Sequence, residues 1–270
     1  MRRGLAPAPD VARRSENGRG EYTSSVDDVI SSVYAGTFDT AVSAIVERAR
    51  SGVGGYVVLC NLHVLMSARR DPRVLKALAG ASYVMPDGAP IVRLRRRRGA
   101  AQVERTAGPD FMMAVIDAGR ALGLRHMFVG STEPVLEALV SRVSARLPGA
   151  EIAGTFSPRF GAVDELADGA AAVAACDADI VWVALGAPKQ ELWMSEHAAE
   201  LAAVLMIGVG AAFEYHAGLK RRAPRVLRRY GLEWVYRLFR EPRRLTGRYV
   251  WTALAFLSFS GSALIKRRAQ

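Results

Sequence analysis

Strand-length segments alternate along this chain with stretches in which apolar residues recur every three or four positions. The strand-like segments are Tyr56–Cys60, Tyr83–Met85, His126–Val129, Glu151–Thr155, Ile180–Leu185 and Val204–Val209. Between them, helical spacing runs over Ser43–Arg50, Leu62–Leu78, Asp110–Leu122, Pro134–Leu147 and Val163–Cys176. Pro72 behind Asp71 starts a fresh turn inside the second of these, and Gly108-Pro109 marks the start of the third. This alternation predicts a Rossmann-like, doubly wound α/β domain with a mainly parallel sheet.

Two of the strands organise the functional reading. Ile180–Leu185 and Val204–Val209 each run into glycine, and each opens into polar residues: Pro188-Lys189-Gln190-Glu191 after the first, Glu214-Tyr215-His216 after the second. Ligands of open parallel sheets sit beyond the carboxyl ends of the strands. Gly186 and Gly210 there let backbone approach a ligand closely. The two strand ends are therefore expected to form one wall of a site.

Charge divides the chain. Residues 219–270 carry fourteen Lys/Arg against two Glu, whereas the first 218 residues carry 23 Lys/Arg against 24 Asp/Glu. The formal charge of +11 thus belongs to the tail. The expected organisation is a disordered leader over 1–24, an α/β body over 25–218 and a basic, amphipathic helical appendage over 219–270. An anionic partner is expected for the last of these, whether membrane surface, pyrophosphate or nucleic acid. Within it, Val250–Ile265 is nearly free of charge and is closed by Lys266-Arg267-Arg268. Sixteen residues interrupted by Ser258, Ser260, Gly261 and Ser262 are short for a span of about 20. The expectation is a helix lying in a membrane interface, with docking on a protein surface as the alternative. Cys60 and Cys176 are the two cysteines; free thiols in a reducing compartment are expected. The first residues hold arginines without an apolar run behind them, so no secretory signal is expected.

Asp87 is the most suggestive carboxylate. Between Pro86 and Gly88 at a strand exit, it could take a proton from an attacking hydroxyl; Pro-Asp-Gly also reads as a plain turn. Asn61, at another strand exit, is either a ligand-holding amide or a helix cap. Gln190 and Glu191 open a helix whose N–H groups could receive a phosphate, although such residues are common in first turns for stability alone. Arginines 237, 240, 243, 244 and 248 recur at helical spacing, where one face could clamp a pyrophosphate or simply meet solvent. Arg93–Arg98 reads as solvated surface. Gly208-Val209-Gly210 is half of a dinucleotide fingerprint, with Phe213 where the third glycine would stand. His63, His126 and His197 read as packing or surface residues, and no Asp-x-Asp pair suggests a divalent metal.

Jointly, several motifs resemble the WecG/TagA/CpsF glycosyltransferase family. They are Asn61, Pro86-Asp87-Gly88, Arg105 with Gly108-Pro109-Asp110, Leu185 to Glu191, Gly208 to Phe213, Arg222-Ala223-Pro224, and Gly231-Leu232-Glu233-Trp234 leading to Arg237-Leu238 and Glu241-Pro242. The resemblance implies an inverting, metal-independent enzyme at the cytoplasmic membrane face. It would move N-acetylmannosamine or a related sugar from a UDP donor to a polyprenyl-diphosphate-linked acceptor in cell-surface polymer synthesis. It also implies roles. Asp87 would be the general base, Asn61 and Arg105 would line its pocket, and Gln190, with Glu191 beside it, would orient a substrate. Glu214, where relatives usually have aspartate, would contact the nucleoside, and Arg237, Arg244 and Arg248 would help stabilise the departing diphosphate. No cofactor is implied. Relatives self-associate, so a homo-oligomer is a second use for the apolar tail; binding to nucleic acid is not implied. Leu59-Cys60-Asn61 replaces the family's Thr-x-Asn, and one arginine position falls on Gly247 beside Arg248. Two other classes share the broad features: a nucleotide-dependent oxidoreductase, and a non-catalytic membrane or nucleic-acid module.

Overall fold

The computed structural model describes residues 25–158 and 165–268; the leader expected over 1–24 lies outside them. Among the described residues, strands β1 (Gly55–Cys60), β2 (Tyr83–Pro86), β3 (Arg125–Gly130), β4 (Glu151–Phe156), β5 (Ile180–Ala184) and β6 (Leu205–Gly208) form one sheet. Its spatial order is β2-β1-β6-β5-β3-β4, and every pairing is parallel.

Alternate side chains of each inner strand enter opposite layers. In β1, Val57 and Leu59 join one core while Tyr56, Val58 and Cys60 join the other; in β5, Ile180 and Trp182 oppose Val181 and Val183. Burial on both faces is why these strands read as continuous apolar runs rather than alternating ones. β4, on the edge, alternates between exposed and half-buried instead.

Crossovers between parallel strands are right-handed, so the direction of travel decides which face a helix covers. The steps β1→β2 and β5→β6 move the same way, placing Leu62–Arg70, Pro72–Gly80 and Lys189–His197 in one layer with Val26–Ser32. The step β3→β4 moves the other way and puts Glu133–Arg146 on the opposite face, beside Phe38–Arg50, Gly108–Gly119 and Ala212–His216.

Local chemistry sets several boundaries. The helix expected from Ser43 starts at Phe38, because Thr37 Oγ1 accepts from Thr40 N at 3.3 Å and caps it. The single stretch Leu62–Leu78 is two helices, Leu62–Arg70 and Pro72–Gly80, since Pro72 lacks the N–H to continue the first and Asp71 caps the second. The tail arginines do not share one helix face as expected. Pro242 divides them between Glu233–Arg240 and Pro242–Arg268.

Pro242–Arg268 has two unlike sides. Leu245 is fully buried, Thr252 nearly so, and Trp251, Ala255, Phe256 and Phe259 pack against the core on the Leu62–Arg70 side. Arg69 Nη1 donates to the Ala255 carbonyl at 3.0 Å and its guanidinium sits over the Phe259 ring. Val250, Leu254 and Leu257 point outward, 53%, 62% and 66% exposed. In the described part of the run expected to lie in an interface, Trp251, Ala255, Phe256 and Phe259 are therefore docked on the body, and Val250, Leu254 and Leu257 are bare. Among the described residues no helix is long and apolar enough to cross a membrane.

Trp182, fully buried, donates Nε1 to His126 Nδ1 at 3.2 Å, leaving His126 Nε2 buried without a partner. Burial pulls His126 down to about 4, against a smaller upward pull from Asp179. A group whose folded pKa lies below its unfolded one stabilises the fold above the unfolded value and loses that contribution as pH falls through the folded value. Urea midpoints of His126→Phe should therefore lose less than wild type between about pH 6.5 and 4. Parallel curves would show that His126 does not set this acid sensitivity.

Candidate active site

The site starts where β2 ends. Asp87 follows Pro86, and its N–H donates to the Cys60 carbonyl at 2.9 Å, so the end of β1 holds it at the mouth of the sheet. The next residue of the β1 chain is Asn61. Its Oδ1 accepts from Val64 N at 3.1 Å and caps Leu62–Arg70, while its side chain also hydrogen-bonds the Asp87 carboxylate. The cap and the site are one side chain used twice. Arg105 Nη2 lies 3.9 Å from Asp87 Oδ1 on the other side. Burial pushes the Asp87 carboxyl above its usual range; Arg105, Arg237 and Asn61 pull it back, and Glu233 pushes further up. The result is a carboxylate more basic than a free aspartate, with cations at hand to keep it ionised.

The segment after residue 218 closes over this point through charge. Arg105 Nη2 pairs with Glu233 Oε2 at 2.8 Å, and Glu233 Oε1 faces Arg222 Nε at 3.4 Å. Arg222 reaches on to Asp110, which Arg228 also approaches at 3.5 Å. Gly231 sits so close to Ala89 that a Cβ there would stand 2.9 Å from the Ala89 Cβ. A carboxylate at the sheet mouth, Asp87, is thus linked through Arg105 to a helix 146 positions further along the chain.

Arg237 and Arg248 lie on the two sides of the break at Pro242, near enough that the charge of one acts on the other. Burial opposes the charge of Arg237, but Tyr215, Tyr249, Asp87 and Glu233 together raise it above its ordinary value. Arg248 is lowered by burial and then by Arg237, with Arg244 adding to the repulsion. The Nε atoms of Arg105, Arg228, Arg237 and Arg248 are buried without partners. Like charges crowded together with unused donors form a cradle suited to a diphosphate. Arg244 pairs with Glu241 and is 54% exposed, which puts it at the rim.

The β5 and β6 exits form the adjoining wall. Gln190 Nε2 donates to Glu191 Oε1 at 2.9 Å, and Gln190 Oε1 accepts from Gly210 N at 3.2 Å. Both ends of this amide are engaged inside the protein, so it ties the two strand exits together. A Cβ on Gly208 would stand 2.9 Å from both Gln190 Nε2 and Met194 Cε, so a larger residue there would displace the Gln190 amide from this position. Glu191 is fully buried, its Oε2 lacks a partner, and burial raises it to about 7. Gly186 and Gly210, with φ of 81° and 52°, make the turns. Glu214 pairs with Lys220 at 2.8 Å, and Lys220 also lies 3.3 Å from Glu241, at the junction with the following helices. Phe213 is fully buried edge-on to Phe128, so the place of a third fingerprint glycine holds a core ring.

The structure therefore gathers Asn61, Arg105 and Arg237 around Asp87, and sets Gln190, Glu191, Gly186 and Gly210 in the next wall. Glu233 and His63 were given no role by sequence. Glu233 stood only within the motif Gly231 to Trp234. His63 had no metal-like spacing, yet its Nδ1 is 3.3 Å from Thr252 Oγ1 and burial, then Arg248, pulls it down to about 4. His216 Nε2 meets the Pro109 carbonyl at 2.8 Å. The Cys60 thiol is buried and pushed well up by burial, then by Glu191 and Asp87. Among the described residues no three His, Cys, Asp or Glu gather as a metal site.

The sequence model of the Glycosyl transferase WecG/TagA/CpsF family matches residues 28–270. Over 191 residues the chain is 31% identical to the N-acetylglucosaminyldiphosphoundecaprenol N-acetyl-beta-D-mannosaminyltransferase of Bacillus spizizenii, an alignment that covers 71% of this chain and 73% of that protein. With a match of that extent and a carboxylate, amide and arginine cluster at the sheet mouth, the chain belongs to the WecG/TagA/CpsF family of glycosyltransferases.

Proposed function

We propose that this enzyme transfers N-acetylmannosamine, or a closely related sugar, from a UDP donor to an amino sugar on a polyprenyl diphosphate, with inversion and without a metal. The observation that carries the reading is the Asp87 carboxylate held between Asn61 and Arg105 within reach of the Arg237 charge. Asp87 takes the proton of the acceptor hydroxyl as that oxygen bonds to the anomeric carbon. The bond from that carbon to the UDP β-phosphate oxygen breaks, and its electron pair leaves with UDP. A single displacement of this kind inverts the anomeric centre. Charge that builds on the leaving diphosphate needs a cation already in place, and Arg237, with its unused Nε donor, supplies it. Glu214 and the Gly210 turn are assigned to the nucleoside end of the donor.

A lipid-borne acceptor also agrees with the bare apolar side of Pro242–Arg268 beside so many arginines. The proposed location is the inner face of the plasma membrane, held peripherally through this segment at an anionic surface. A second copy of the chain could cover the same side in solution. The oxidoreductase reading loses its support at Phe213, which fills the core where a dinucleotide would need glycine.

The decisive assay is UDP release from a panel of UDP-sugars with a short-chain lipid-diphosphate acceptor; no release with any donor would sink the reading. Asp87→Asn should leave UDP binding nearly intact and lower turnover by about 10²–10⁴, as measured by calorimetry and initial rates; full turnover removes Asp87 from its role. Arg237→Met should lower kcat by about 10–100-fold with little change in acceptor KM, the pattern of a contact made only as charge develops on the leaving group. A change confined to KM would place Arg237 in ground-state binding instead.

A further inference from the structure

Leu62–Arg70 begins at the reactive carboxylate and ends at a second opening. His63, Ser67 and Arg70 follow one another at spacings of four and three, so they share one face of this helix. With Pro72, Pro188 and Trp251 they line a cleft of about 440 Å³, within the roughly 300–1,000 Å³ range of small-molecule sites. One wall is the turn at Pro188 that leads into Gln190. The other is Trp251 of Pro242–Arg268, whose ring stands edge-on to His63 at 5.8 Å. From Asn61 to Arg70 the helix covers roughly 13 Å at 1.5 Å per residue.

The chemistry changes in order along that distance. At the inner end are Asn61 and Asp87, a polar pair for a sugar hydroxyl. Next come His63 and Arg248: Thr252 Oγ1 lies 3.3 Å from His63 Nδ1 and donates to the Arg248 carbonyl at 2.7 Å, one turn earlier. Beyond them the walls are mostly carbon, from Trp251, Pro188 and Pro72, and the Ser67 hydroxyl is spent on the His63 carbonyl at 2.9 Å. At the outer end Arg73 is paired with Asp71 at 2.8 Å, and Arg70 is exposed. The helix that provides Trp251 turns Val250, Leu254 and Leu257 outward, away from the body.

We propose that this cleft seats the first isoprenoid units of the acceptor, with its diphosphate beside Arg248 and its sugar hydroxyl at Asp87. The inference rests on the acceptor class proposed above. A sugar, then a diphosphate, then hydrocarbon is the order in which the acceptor's own parts are joined. It is also the order of polar pair, cation and carbon surface found along one helix. The helix that Asn61 caps beside Asp87 supplies His63, Ser67 and Arg70 of the lining, which ties this cleft to the site through a shared element.

The test uses two acceptors with the same sugar diphosphate, one ending in a methyl group and one in four isoprene units, with a fixed donor. Wild type should show a lower KM for the prenyl acceptor. Ser67→Trp, which fills the cleft, should raise that KM by roughly tenfold or more, as expected for several buried methylenes left in water. Its KM and kcat for the methyl acceptor should stay within about twofold of wild type, given that Ser67 touches neither substrate sugar nor leaving group. Equal losses on both acceptors, or an unchanged prenyl KM, would overturn the proposal. A prenyl acceptor carrying a diazirine on its first isoprene unit, photolysed on the unmodified enzyme, gives a reading independent of the variant's folding. Label on residues 63–74, 188 or 251 supports the cleft, and label confined elsewhere overturns it. Wild type that turns over neither acceptor defeats the proposed function itself. Wild type that uses both with equal KM defeats only this inference.

Discussion

Two acids and a guanidinium govern this molecule: Asp87 and Glu233 with Arg105 between them. Glu233 is 8% exposed, and a carboxylate taken out of water that far is tolerable only if paired and hydrogen-bonded. Arg105 and Arg222 supply the pairing and hold it below the ordinary glutamate range, against the upward push of burial. Removing one partner from such a pair strands the other, at about 3–5 kcal/mol. The helices after residue 218 are thus fastened to the sheet mouth at the spot where Asp87 stands. Docking of the tail and the electrostatics of Asp87 are consequences of one arrangement.

A second fastening lies across the site. Gln190 joins the exits of β5 and β6 through Glu191 and the Gly210 amide, and the missing Cβ of Gly208 makes room for it. Rigid turns would serve the proposed displacement, which needs the attacking oxygen, the anomeric carbon and the leaving oxygen in line. The wall assigned to the donor is held from behind by side chains that need not touch it.

Much of this was legible in the sequence, and the unread part has physical causes. The inner strands showed themselves because both faces are buried, which leaves unbroken apolar runs such as Ile180–Leu185. Asp87 and Asn61 stood at strand exits, where period and turn residues point. The break at Pro242 was visible as a proline but not as a separation of arginines, because spacing alone assigns one face to a helix that is really two. Glu233 was visible in a motif but its role was not: that role comes from Arg105 and Arg222, 128 positions before it and 11 before it, and no local pattern encodes that meeting. Val26–Ser32 went unread because seven residues held by the Ser25–Asp28 capping box present too little period to notice.

Pro242–Arg268 also sets two different rules for sequence drift on a single element. Thr252 and Trp251 must match the contours of Leu62–Arg70, and altering their volume leaves gaps or collisions. Val250, Leu254 and Leu257 answer to no contour in the described protein. Any residue of similar oiliness satisfies them, so neighbouring positions on this helix should diversify at unequal speeds, with freely exchanged aliphatics outside and near-fixed shapes within.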